Sequence, residues 1–149
     1  MKRHSALTRL SREHHSALLL AKHSLSASAD EPDAMKQFFG ELTRIFACDL
    51  EPHFQLEEKL LLPALISVGQ FQAVERTLAE HTELRLLAGQ SLTDNPDVLR
   101  RFGEALAAHV RFEERELFPL AESMLEEDIL ELIREGSAEH YPLSTGANL

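Results

Sequence analysis

The chain has 149 residues, 44% of them apolar, and a formal charge of −10 from 25 acidic and 15 basic side chains. That length suits one domain with its own core, and the acidic balance argues against nucleic acid or anionic lipid as a partner. A single cysteine, Cys48, excludes an internal disulfide and a multi-thiolate metal site, and it suits a reducing cytoplasm.

Strand signals are sparse, and apolar residues recur at intervals of three and four. Lys2-Arg3 and Ala27-Ser28-Ala29 resemble the two ends of a secretion signal, but the unbroken apolar run between them, 17–21, is too short. No run approaches the roughly 18 apolar residues that span a bilayer. The chain is therefore expected to be soluble and cytoplasmic, with no membrane partner. The first helix is predicted over about residues 5–25, with Leu7, Leu10, His14, Leu18 and Ala21 on one face. Pro32 suits the start of a second helix over about 33–66, whose stripe passes through Phe39, Leu42, Phe46, His53, Glu57 and Leu60. A kink is expected near Pro52, and an end at Pro63 and Gly69. A third helix over about 70–91 aligns Val74, Leu78, His81, Arg85 and Ala88. Thr93-Asp94-Asn95-Pro96 reads as a cap and start signal for a fourth helix reaching about residue 125. A short amphipathic segment, 129–133, ends at Gly136, and the final residues are expected to fray.

This pattern predicts an all-α single domain over 1–149: an antiparallel up-down four-helix bundle over about 5–125 and a C-terminal extension, 126–149, carrying a short helix. His14, His53, His81 and His109 fall near one level. The second helix has an excess above His53, expected to overhang the bundle or to form a separate turn.

One internal repeat dominates the chemistry. Residues 53–63, from His53 through Glu57-Glu58 to Pro63, align without a gap on 109–119, from His109 through Glu113-Glu114 to Pro119. Helical residues four apart share a face, so each copy aims an imidazole and a carboxylate at one point. A lone core histidine is ordinarily a hydrogen-bonded residue, and a lone Glu at i+4 is ordinary helix decoration. Together with His14 and His81, however, the six groups would be costly to bury unless a cation neutralised them. Four imidazoles and two carboxylates without thiolate suit iron, manganese or zinc, and the histidine-rich balance favours iron. Two carboxylates on facing helices can bridge two ions. His14 is preferred over His15 because it sits mid-stripe, whereas His15 lies about 100° round the helix, where it would support the ligands or sit at the helix edge. Arg85 faces inward by periodicity, to pair with a ligand carboxylate or to guard an open position. Cys48 falls beside the stripe as a small apolar filler.

Arg12-Glu13-His14-His15, His53-x-x-x-Glu57-Glu58, Glu80-His81 and His109-x-x-x-Glu113-Glu114 together resemble the hemerythrin-like, or HHE cation-binding, domain family over about residues 5–125. The resemblance implies a four-helix bundle holding two iron ions joined by an oxo or hydroxo bridge. It implies His14, His53, His81 and His109 as terminal ligands and Glu57 and Glu113 as bridging carboxylates. The oxygen-carrying members have a second histidine four residues after the one in the third helix, where this chain has Arg85. Their last helix pairs a His with an Asp five residues on, whereas this chain pairs His109 with Glu113. About two of roughly twelve positions on two six-coordinate ions then stay open, for water, Glu58, Glu80 or Glu114 to fill. The leading expectation is a di-iron protein that binds, senses or detoxifies O2, NO or peroxide, or buffers iron. A sensor would need a partner protein, since no output domain is attached. One rival is a di-iron peroxidase or nitric-oxide reductase, although no substrate pocket is visible in the sequence. The other is a metal-free helical interaction module.

Overall fold

The computed structural model describes residues 2–26, 30–90 and 95–140. Ala27-Ser28-Ala29, the Thr93-Asp94 half of the cap signal, the tail 141–149 and the side chain of His140 lie outside the described residues. All regular structure among the described residues is helical. Helix α1 spans Ser5–Leu25, α2 runs through residues 32–67, α3 spans Phe71–Gln90, α4 runs through 96–124, and α5 spans Glu127–His140. None is long and apolar enough to cross a membrane.

Local chemistry sets the ends. The His4 ring nitrogen accepts the Ala6 N–H at 3.0 Å, and the Asn95 side chain accepts the Asp97 N–H at 2.9 Å ahead of α4. Gly69, at φ 83°, closes α2, with the Gln70 N–H returning to the Leu65 carbonyl.

Pro63 does not end its helix, contrary to the expectation from sequence, and Pro119 likewise lies within α4. Wide turns interrupt α2 at Phe46–Leu50 and Glu57–Leu61, and α4 at Glu113–Leu117. In each, an N–H reaches back five residues: Glu51 to Phe46, Leu62 to Glu57, Phe118 to Glu113. A proline follows two residues after each turn, at 52, 63 and 119. A proline ring strikes the carbonyl four residues earlier, and here that carbonyl lies within the loosened turn. The helix therefore continues past each proline and buries Leu65 and Ala121.

Two apolar clusters form among the described residues. One gathers Leu7, Leu10, Leu61, Leu65, Phe118 and, from α5, Leu130 and Ile133. The other gathers Leu20, Phe39, Leu42, Phe54, Leu87, Leu99 and Phe102. The extra length of α2 does not overhang, because Met35, Phe39 and Leu42 are buried in the second cluster. The C-terminal helix is longer than the segment 129–133 predicted and packs on α1 and α2. Leu18 and Leu78, expected inside, are exposed, while Ala17 and Thr77 take the inward positions. Helices α1 and α4 pack closely at Gly103, where a β-carbon would lie 2.8 Å from the Ala21 carbonyl oxygen.

Candidate metal centre

Each of the first four helices passes from one apolar cluster to the other, and its polar residues fall at the crossing. On α1, His14 lies between Leu10 and Ala17; on α3, His81 lies between Val74 and Leu84. The two repeat copies bring His53 with Glu57 on α2 and His109 with Glu113 on α4. All six side chains are buried, and Glu57, His81 and Glu113 are wholly so.

They form two quartets of donor atoms, each within 4.8 Å: His14, His53, Glu57 and Glu113, and Glu57, His81, His109 and Glu113. The two glutamates are common to both. The individual oxygens divide between the histidine pairs. Glu57 presents Oε2 to His53 Nε2 at 3.2 Å and Oε1 to His81 Nε2 at 3.1 Å. Glu113 presents Oε1 to His14 Nε2 at 2.8 Å and Oε2 to His109 Nε2 at 3.2 Å. All four histidines therefore turn Nε2 inward.

The other nitrogen, Nδ1, meets an outer carboxylate in every case. His53 pairs with Glu13 at 2.8 Å, His81 with Glu58 at 2.6 Å, His109 with Glu80 at 2.8 Å, and His14 with Glu114 at 2.6 Å. The circle closes: α1 holds the histidine of α2, α2 that of α3, α3 that of α4, and α4 that of α1. Such a partner fixes the tautomer that leaves Nε2 available and makes the ring a better donor. Arginines brace three of the four. Arg85 forks onto Glu51 at 2.8 Å and reaches Glu58 at 2.9 Å, Arg76 binds Glu80 at 2.9 Å, and Arg3 binds Glu114 at 3.0 Å. Phe54 stacks on His81 with ring centroids 4.0 Å apart and covers one face of that imidazole.

Electrostatics follow from this crowding. Burial alone would depress His109, but the Glu113 charge and the hydrogen bond with Glu80 outweigh it and push it up to about 10. The same contest raises His14 and, well above its ordinary value, His53. Burial would raise Glu113, yet the facing imidazoles hold it well below the usual carboxylate range. Glu114 is held at about 2 against its burial by bonds from His14, Ser11 and Arg3. Protons thus supply the positive charge of the metal-free cluster, and they do so imperfectly. His53 Nε2, Glu57 Oε2, His109 Nε2 and Glu113 Oε2 are buried without a hydrogen-bond partner. The paired atoms stand 3.2 Å apart yet outside hydrogen-bonding geometry. Donors that crowd together without satisfying one another fit a shared cation.

Several sequence expectations change here. His15 is exposed and has no part in the cluster. Glu58, Glu80 and Glu114 hold Nδ1 atoms instead of filling an inner position. Arg85 is one-third exposed and pairs with Glu51 and Glu58, neither of them among the six inner residues. Cys48 is exposed and is no core filler. Glu13 went unread as a functional residue, although a signal was present. Glu13 and Glu80 each directly precede a core histidine, and Glu58 and Glu114 each directly follow a core glutamate. One residue is 100° of helix, enough to turn a carboxylate toward the neighbouring helix.

A cavity of about 260 Å3 lies between α1, α2 and α4 and reaches His14, His53 and His109. No curated protein and no solved structure matches the chain. The family model of the hemerythrin HHE cation binding domain matches residues 5–121, a stretch that holds every residue of the cluster. With its buried His/Glu cluster able to take a metal ion, the chain belongs to the hemerythrin HHE cation-binding domain family.

Proposed function

We propose that α1 to α4 form an antiparallel bundle holding two metal ions, iron by preference, with Glu57 and Glu113 bridging them. His14 and His53 would serve one ion, and His81 and His109 the other. The observation that carries this reading is the division of oxygens: each central glutamate offers one to each histidine pair. A single-ion site has no use for that division. The all-nitrogen and oxygen donor set suits iron, with manganese or zinc as substitutes.

When bound, the ion pair would supply Lewis acidity and one-electron redox chemistry. The chain's own residues do the rest. Glu13, Glu58, Glu80 and Glu114 hold the imidazoles in one tautomer, and the apolar clusters above and below bury the layer. Four imidazoles and two bridging carboxylates would hold the ions, and the cavity that reaches His14, His53 and His109 supports a role in binding, sensing or detoxifying O2, NO or peroxide, or in buffering iron. A cytoplasmic location fits the single exposed thiol.

The test is the double substitution Glu57→Ala with Glu113→Ala, read by metal content after anaerobic ferrous loading. The reading predicts loss of nearly all bound metal, with no charge-transfer absorption in the near ultraviolet. Retention of wild-type metal content would remove both bridges from the account. Melting temperature alone is a poor readout, because both glutamates also neutralise imidazoles in the metal-free chain.

A further inference from the structure

The cavity between α1, α2 and α4 is far larger than a diatomic ligand requires. An apolar cavity of about 150 Å3 accommodates benzene, and a single water takes about 30 Å3. By that scale 260 Å3 accommodates about ten non-hydrogen atoms. Its walls are not uniform. Leu20, Leu50, Phe54, Leu106 and Val110 supply an apolar body, all of them buried. The outer end opens past Cys48 and Asp49, both exposed, on the wide turn Phe46–Leu50. The inner end is formed by imidazoles, and two of them, His53 and His109, carry an Nε2 that is buried and without a hydrogen-bond partner. Glu13, Asp49 and Arg9 also border the space, so its charged lining is of mixed sign. Lining charges of mixed sign select neither ion, and the chain's overall charge of −10 opposes an anion, which leaves a neutral guest.

We propose that this cavity binds a small, neutral, mostly apolar organic molecule of about six to ten non-hydrogen atoms bearing one hydroxyl or hydroperoxyl end. The apolar body lies along Leu20, Leu50, Leu106 and Val110, and the oxygen-bearing end meets the imidazole wall. Pockets of this kind, an apolar lining with a few convergent polar groups, orient a guest by its one polar end. The proposal rests on the metal reading only for what the oxygen would meet in the loaded protein. Binding itself requires the cavity alone.

Phenol is the probe, titrated into the full-length chain both metal-free and loaded with redox-inert zinc. Binding is followed by NMR, with contacts from ring protons to side-chain methyls. The expected result is saturable binding at about 1 mM or tighter, with contacts to the methyls of Leu20, Leu50, Leu106 and Val110. Ala17→Phe, which fills the cavity from α1, should weaken it at least tenfold. Absence of saturation at 10-fold higher phenol, or contacts confined to other methyls, would overturn the proposal whether or not the variant folds. Phenol that fails to bind a chain carrying its full metal complement removes the cavity site and leaves the metal reading standing. Phenol that binds at those methyls in a chain that takes up no metal supports the cavity site and removes the metal reading.

Discussion

Each core imidazole has two nitrogens in different circumstances. Nε2 faces a crowded layer of donors, and Nδ1 is tied to a carboxylate supplied by the adjacent helix in the circle. Loss of such an outer partner typically lowers metal affinity 10- to 100-fold. Glu13→Gln and Glu80→Gln should each weaken iron or zinc binding within about that range, measured by competition with a coloured chelator, while leaving the helical circular dichroism unchanged. His15→Ala should not change affinity at all, since that ring is exposed. The six inner residues were legible in the sequence because their spacing put them on apolar stripes. The circle of outer carboxylates was not, because stripe logic looks only along one helix. Glu13 matters through His53 on another helix, and no period in the chain encodes that pairing.

Prolines were the misleading signal at the level of elements. Pro63 punctuates the sequence as a helix end, yet α2 absorbs it, as α4 absorbs Pro119, through wide turns that begin at Glu57 and Glu113. The repeat encodes a local loosening of the backbone at each central carboxylate, which the apolar residues beyond the proline hint at. Helices α1 and α4 meet more simply, through the missing side chain at Gly103. A methyl group there would stand 2.8 Å from the Ala21 carbonyl oxygen and 3.1 Å from the Leu25 nitrogen. Backbone gives way at greater cost than a flexible side chain, so Gly103→Ala should lose about 1–3 kcal/mol in urea unfolding despite its higher helix propensity. Stabilisation by that substitution would mean the two helices sit farther apart.

Across the whole molecule, a charged polar layer lies between two apolar clusters, and pH acts on it from both sides. Glu114, held at about 2 against an ordinary 4.5, contributes stability above 4.5 that is lost as pH falls through 2. His109, raised to about 10 from an ordinary 6.5, contributes fully below 6.5, and that contribution is lost as pH rises through 10. The metal-free protein should therefore melt highest between about pH 4.5 and 6.5 and soften toward pH 10. Bound metal replaces the inner protons, so the loaded protein should hold its melting temperature above pH 6.5, and loading should release protons. The helical class was plain from periodicity. The role of α5 was not, because a short amphipathic segment near the end of a chain says nothing about which helices it will cover.

The account stands on a pair of ions sharing Glu57 and Glu113. Metal quantitation of the untagged protein, loaded anaerobically with ferrous iron and freed of excess, tests this directly. About two irons per chain are predicted; a plateau at one, or retention of none, would contradict it.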